Sequence, residues 1–163
     1  MKWTLGLTVA ALGLTLTACG SGGSGHPAAN QAGKVAGGQS VAVAQNPSQG
    51  SILVDSAGHT LYLFEKDQGT TSACTGACAQ IWPGYSAGST PSAATGVDGA
   101  KLATAAGQVP AQVTYNGHLL YTYSGDSAPG DVKGIGIPDW YPVSPSGDKV
   151  DHEDGGGSSN PGY

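Results

Sequence analysis

The chain predicts a small all-β domain built from two related β-hairpin units, and three observations carry that expectation. Short runs of β-branched, aromatic and leucine residues alternate with turn residues through its middle. Asn116-Gly117 separates two such runs, and Asn-Gly suits a type I′ hairpin turn, which needs positive φ at both central residues. The third observation is a duplication. Gly58-His59-Thr60-Leu61-Tyr62-Leu63-Phe64-Glu65-Lys66-Asp67 recurs as Gly117-His118-Leu119-Leu120-Tyr121-Thr122-Tyr123-Ser124-Gly125-Asp126, with Gly, His, Leu, Tyr, an aromatic ring and Asp at equal offsets. Two copies fall short of a solenoid, which generally needs three or more repeats. One domain with a hairpin in each half, in pseudo-twofold relation, is the simpler arrangement.

Taken in order, residues 41–44 alternate weakly and read as a first strand. Residues 51–55 and 60–64 flank the turn cluster Ser56-Ala57-Gly58 and read as a hairpin. Residues 74–82 hold the one helix candidate, a turn or two stopped by Pro83. Residues 111–115 and 119–123 form the Asn-Gly hairpin. Residues 140–143 supply a last strand, which Pro142 confines to a sheet edge because proline cannot donate to a ladder.

The ends of the chain carry no such pattern. Lys2 precedes an almost uncharged apolar run from Trp3 to Leu16, and Leu16-Thr17-Ala18-Cys19 follows. A membrane-spanning helix needs ~20 consecutive apolar residues, and this run is shorter and diluted by Gly6, Gly13 and several threonines. It fits a signal h-region with a small-residue cleavage site and resembles a bacterial lipoprotein signal with its lipobox. That resemblance implies removal of residues 1–18 and lipidation of Cys19, an anchor whose acyl chains contribute ~0.8 kcal/mol per buried methylene. Residues 19–38 are then the lipidated cysteine and a Gly/Ser-rich flexible linker, residues 39–150 the β-rich repeat domain, and residues 151–163 a tail with nothing to bury, expected to be disordered. The expected location is the cell membrane, lipid-anchored and facing the extracytoplasmic side.

The formal charge is −5, no arginine occurs, and charged residues make up 10% of the chain. This balance argues against a nucleic-acid partner, since phosphate-backbone binding rests on clustered Lys and Arg. The expected partners are the membrane, through the lipid, and an envelope protein or small ligand.

The signature Tyr-x-aromatic-x-x-Asp stands twice, as Tyr62-Leu63-Phe64-Glu65-Lys66-Asp67 and Tyr121-Thr122-Tyr123-Ser124-Gly125-Asp126. Between the copies lies Ser72-Ala73-Cys74-Thr75-Gly76-Ala77-Cys78-Ala79-Gln80-Ile81-Trp82-Pro83. After them come Pro129-Gly130-Asp131, Gly134-Ile135-Gly136 and Trp140-Tyr141-Pro142-Val143-Ser144-Pro145-Ser146-Gly147. Together, over roughly residues 50 to 148, these resemble the bacterial lipoproteins that carry this motif, a family of secreted repeats of unknown function. The chain departs from the family pattern at Gly134-Ile135-Gly136, where Gly-Gln-Gly is usual. The resemblance implies a fold and a location, and no agreed biochemical activity.

Strand alternation places Tyr62 and Phe64 on one face with Leu61 and Leu63 on the other, and Tyr121 and Tyr123 opposite Leu120 and Thr122. In the structural reading each aromatic pair packs into the core, while Asp67 or Asp126 caps the turn ending its strand through an Asx-type bond to nearby amides. In the functional reading the pairs join Trp82 and Trp140 in a platform that contacts a sugar or planar ligand. His59 and His118 sit beside the two turns and are candidate metal ligands, imidazole suiting Zn or Cu(II). Each precedes the nearest motif aspartate by eight residues, more than ~25 Å in an extended strand.

With Cys19 lipidated, Cys74 and Cys78 remain, an even pair in an oxidising compartment at a spacing that a disulfide can close. So small a ring contributes ~2 kcal/mol by loop entropy. A thiol-redox role is the sharper alternative, although Cys-x-x-x-Cys is not the thioredoxin spacing and no Lys or His stands close in sequence to lower a thiol pKa. No hydrolase, zincin or phosphate-loop motif appears, so no catalytic residues are assigned. The chain thus reads as a membrane-anchored, non-catalytic structural or binding module of the cell surface, with no cofactor predicted beyond the lipid. The alternative is a metal-binding or thiol-redox and electron-transfer module of the envelope.

Overall fold

The computed structural model describes residues 40–87, 90–107 and 110–151. The signal segment, Cys19, the linker and residues 152–163 of the tail lie outside them. Among the described residues no helix is long and apolar enough to cross a membrane.

The described chain is strands and turns with little helix, as expected. It runs β1 (Ser40–Asn46), β2 (Gly50–Val54), β3 (Tyr62–Phe64), α1 (Ala77–Ile81), β4 (Ser86–Ala87) and β5 (Ser92–Ala93). A 3-10 turn over Gly99–Lys101 leads into β6 (Leu102–Thr104), followed by β7 (Ala111–Tyr115), β8 (His118–Leu119) and β9 (Trp140–Pro142). One sheet has the order β2-β1-β5, a second joins β4, β7 and β6 with β8 on β7, and β3 pairs with β9. Pro142 therefore sits in a strand with one partner, where its missing donor costs no ladder bond.

The second predicted hairpin forms as expected. Asn116 and Gly117 have φ of 50° and 84°, the double positive φ of a type I′ turn, and set Thr114 opposite Leu119 and Tyr115 opposite His118. The first forms as well, but only near its turn. Asp55 Oδ1 accepts from Ala57 N and His59 N at 2.8 and 2.9 Å and closes the loop. Asp55 N donates to His59 O and Leu61 N to Leu53 O, both at 2.9 Å, around a Val54–Thr60 bridge. The pairing stops there: β2 takes β1 as its long antiparallel partner, from Ala42 opposite Val54 to Asn46 opposite Gly50, and Tyr62–Phe64 leaves to pair with β9, Phe64 opposite Trp140. The helix candidate is real but short, ending before Pro83.

Alternation sorts the core into two faces as the sequence implied. Leu61, Leu63 and Leu120 pack with Val41, Leu53, Tyr85, Val113, Tyr115 and Val143. Tyr62 and Tyr121 face the other way, with Cys74, Trp82, Leu119 and Trp140, flanked by Phe64 and Tyr123.

Candidate functional site

The two motif copies meet at their tyrosines. Tyr62 N donates to Tyr121 O and Tyr121 N to Tyr62 O, both at 2.9 Å. Neighbouring bonds recur in both halves. Leu53 N donates to Val143 O as Val113 N donates to Tyr85 O, each at 2.7 Å. Asp67 N donates to Phe64 O as Asp126 N donates to Tyr123 O, each at 3.1 Å. Because the strands cross here in antiparallel sense, each tyrosine points its ring toward the turn that follows the other copy.

The side-chain bonds are crossed accordingly. Tyr62 Oη donates to Asp126 Oδ2 at 2.7 Å, and Tyr121 Oη donates to Asp67 Oδ2 at 2.8 Å. The remaining carboxylate oxygens accept backbone amides from farther along their own segments: Asp126 Oδ1 from Lys133 N and Asp67 Oδ1 from Ala73 N, both at 2.8 Å. This corrects the expected local Asx cap. The carboxylates do not close their own turns; they tie each copy's tyrosine to the other copy's loop. Asp131, outside the motif, closes a local turn as Asp55 does, with Oδ2 accepting from Ser127 N and Ala128 N at 2.9 and 3.0 Å.

Each tyrosine hydroxyl has a second partner. Gly134 N donates to Tyr62 Oη at 3.2 Å, and Ser72 Oγ lies 2.7 Å from Tyr121 Oη. Gly134 has no alternative residue: a Cβ there would stand 2.6 Å from Trp82 Cη2 and 2.8 Å from the Tyr62 ring. Burial pushes the Tyr121 phenol up to about 12, with Asp67 adding to the rise. Tyr62 rises further, by burial first and then its bond to Asp126. Burial also raises Asp67 and Asp126 above the usual carboxylate range, against the lowering effect of the hydrogen bonds they accept.

Between the crossed pairs the aromatic rings form a column. Trp82 and Trp140 stack at 3.8 Å between centroids and 3° between planes. Phe64 stacks on the far side of Trp140 at 4.3 Å, and Tyr123 leans against the far side of Trp82 at 4.4 Å, tilted by 32°. Tyr62 meets Trp82 edge-on at 5.2 Å, and Tyr121 meets Trp140 edge-on at 5.1 Å. Both tryptophans are 4% exposed. Their faces are covered by each other and by Phe64 and Tyr123, so the ligand-stacking platform expected of Trp82 and Trp140 has no open face.

Cys74 and Cys78 form a disulfide with Cα atoms 5.2 Å apart. Cys74 is buried beside Trp82 and Tyr121 and Cys78 half-buried, so the bridge pins the start of α1 against the column. His59 and His118 are placed differently. His59 Nδ1 lies 3.2 Å from Asp55 Oδ2. His118 is exposed and shares with Asp67 a cleft of about 470 Å³, lined also by Phe64, Glu65, Asp148 and Lys149. Among the described residues no group of three or more His, Cys, Asp or Glu side chains is gathered to hold a metal.

Reading the sequence singled out both tyrosines and both aspartates but missed Ser72, Lys133 and Gly134 as their partners. A signal was present. The five-residue step from Tyr to Asp is the same in both copies, and a strand followed by a turn carries a tyrosine hydroxyl away from the aspartate of its own copy.

A sequence model of the family described as a secreted repeat of unknown function matches residues 43–84 and 110–144, the two stretches that supply the crossed tyrosines. No curated protein and no solved structure matches the chain.

Proposed function

We propose that this chain, which belongs to the family of secreted repeats of unknown function, is a lipid-anchored, non-catalytic module of the cell surface. In this reading Cys19 carries the lipid, residues 20–38 space the domain from the membrane, and the domain offers a rigid surface to an envelope protein or small ligand. The observation that carries it is the crossed pairing of Tyr62 with Asp126 and Tyr121 with Asp67. The family motif is committed to joining the two halves, and its hydroxyls and carboxylates are engaged with each other rather than turned toward a substrate. Rigidity follows from the same bonds, because each pair couples segments more than fifty residues apart in sequence. The cleft lined by Asp67 and His118 is an open concave surface among the described residues, and its mixed apolar and charged lining suits contact with a polar ligand or a partner loop.

The test is mass measurement and fractionation of the full chain from a bacterial host. The expected product begins at Cys19, carries a diacylglyceryl mass and partitions with membranes, and Cys19→Ala moves the domain to the soluble extracytoplasmic fraction. Membrane association unchanged in Cys19→Ala, with no acyl mass on the wild type, would overturn the anchor.

A further inference from the structure

Going beyond a structural role, we propose that the aromatic column is a one-electron relay in which the two crossed tyrosine–aspartate pairs act as proton-coupled donors. Three features of the geometry point to it. Trp82 and Trp140, whose indoles most readily give up an electron without also losing a proton, lie parallel and in contact at 3.8 Å. Electronic coupling falls steeply with separation, so such rings share or exchange an electron faster than rings kept apart by aliphatic side chains. Each indole is touched edge-on by one phenol, Trp82 by Tyr62 and Trp140 by Tyr121. Each of those phenols already donates its proton to a carboxylate, at 2.7 and 2.8 Å. A phenol that loses an electron becomes strongly acidic, and a base in hydrogen-bond contact is what lets electron and proton leave together.

The column has one usable port. Phe64 covers the outer face of Trp140, and a benzene ring is far harder to oxidise than an indole or phenol, so charge stops there. Tyr123, half-buried at the other end, faces partners in solution. An oxidised metal complex docked near Tyr123 takes one electron from the stacked indoles, is itself reduced by one electron, and leaves a radical cation on them. Tyr121 then gives one electron to Trp140, its O–H bond breaks, and the proton forms a new O–H bond at Asp67 Oδ2. The products are a closed-shell Trp140, a neutral tyrosyl radical and a neutral carboxyl group. Tyr62 and Asp126 do the same for Trp82, and the reduced metal complex returns each pair to its starting state by giving one electron to the tyrosyl radical while the carboxyl group gives its proton back to the tyrosine oxygen.

The full chain is tested by flash-quench with a photogenerated ruthenium(III) polypyridyl complex as oxidant, followed by transient absorbance and electron paramagnetic resonance. The expected result is a tryptophan radical cation that decays into a tyrosyl radical. Combined Y62F and Y121F should abolish the tyrosyl signal and prolong the tryptophan one. Combined D67N and D126N, which keep the shape and remove the base, should do the same while near-ultraviolet circular dichroism stays native. If either double variant does not fold, Tyr121→Phe and Asp67→Asn alone should each lose the share of the signal that belongs to that pair. A tyrosyl signal of unchanged yield in the Tyr→Phe variants would assign it to other tyrosines and overturn the relay. So would decay of the tryptophan radical unaffected by the Asp→Asn changes.

Discussion

At the Tyr62–Asp126 pair the phenol is fully buried, the carboxylate is 8% exposed, and the phenol's second partner is a backbone amide, that of Gly134. At the Tyr121–Asp67 pair the phenol is nearly as buried, but the carboxylate is half-exposed beside a cleft and the phenol's second partner is the hydroxyl of Ser72. The same motif, repeated with the same spacing and the same crossed bonds, thus stands in one sealed and one open setting. What differs is the cover. Residues 126–134 fold back over Tyr62, and Gly134 lets that backbone reach the hydroxyl. Residues 67–74 pass Tyr121 with a serine and a disulfide-closed turn. Bonds alike in length are therefore expected to differ in worth, because leaving a polar group unsatisfied costs more where water cannot replace the partner.

The largest expected effect attacks the sealed side. Gly134→Ala drives a methyl into Trp82 and Tyr62, and overpacking of this kind costs about 3 kcal/mol, measured as a drop in denaturant midpoint. Placing alanine at Ser72 on the open side, where no ring stands in the way, removes its bonds to Tyr121 Oη and to the Cys74 backbone, and because water can replace them it should cost only ~0.5 kcal/mol. Between these lie the tyrosines. Tyr62→Phe strands Asp126 Oδ2 and Gly134 N and should cost about 2 kcal/mol, whereas Tyr121→Phe leaves Asp67 within reach of water and should cost ~1 kcal/mol. Equal losses at the two tyrosines would erase the distinction between the settings.

Alkaline pH sharpens the comparison without changing a residue's size. Both phenols ionise above their ordinary value of 10.0 in the fold, Tyr121 at about 12 and Tyr62 higher still. A group whose folded pKa is raised adds stability below its unfolded pKa and loses it as pH climbs through the folded one. Stability should therefore fall steeply above pH 10, and Tyr62→Phe should flatten that slope more than Tyr121→Phe. Asp67 and Asp126 follow the same sign at lower pH: raised by burial, they contribute most below the usual carboxylate range and less as pH rises through their folded values. Asp131 runs the other way. Held down to about 2, chiefly by its bond from Lys133, it loses its contribution as pH falls toward that value.

Much of this fold was legible in the sequence where local chemistry decides it. Asn116-Gly117 dictates its own turn, alternation separates Leu61 and Leu63 from Tyr62 and Phe64, and a four-residue step between Cys74 and Cys78 admits a disulfide. Pairing partners were not legible. The first hairpin is shorter than the sequence suggests: its strands pair from Leu53 to Leu61 around the Asp55 turn, and residues 62–64 then leave for β9, a choice set by residues more than seventy positions away. β4, β5 and β6 are two or three residues long, too short to display a period of two. The motif residues were visible, and the five-residue step separates each tyrosine from its own aspartate; which aspartate it meets instead depends on the two copies coming together at Tyr62 and Tyr121, which neither copy displays alone.

The crossed arrangement is open to a double-mutant cycle read by equilibrium unfolding, combining Tyr62→Phe with Asp126→Asn and, separately, Tyr62→Phe with Asp67→Asn. Contacting residues couple by 0.5–3 kcal/mol, on the order of 1 kcal/mol here, while residues without shared partners add to within ~0.5 kcal/mol. Coupling between Tyr62 and Asp126 together with additivity between Tyr62 and Asp67 is the predicted result. Coupling inside one motif copy, with none across the two, would contradict it.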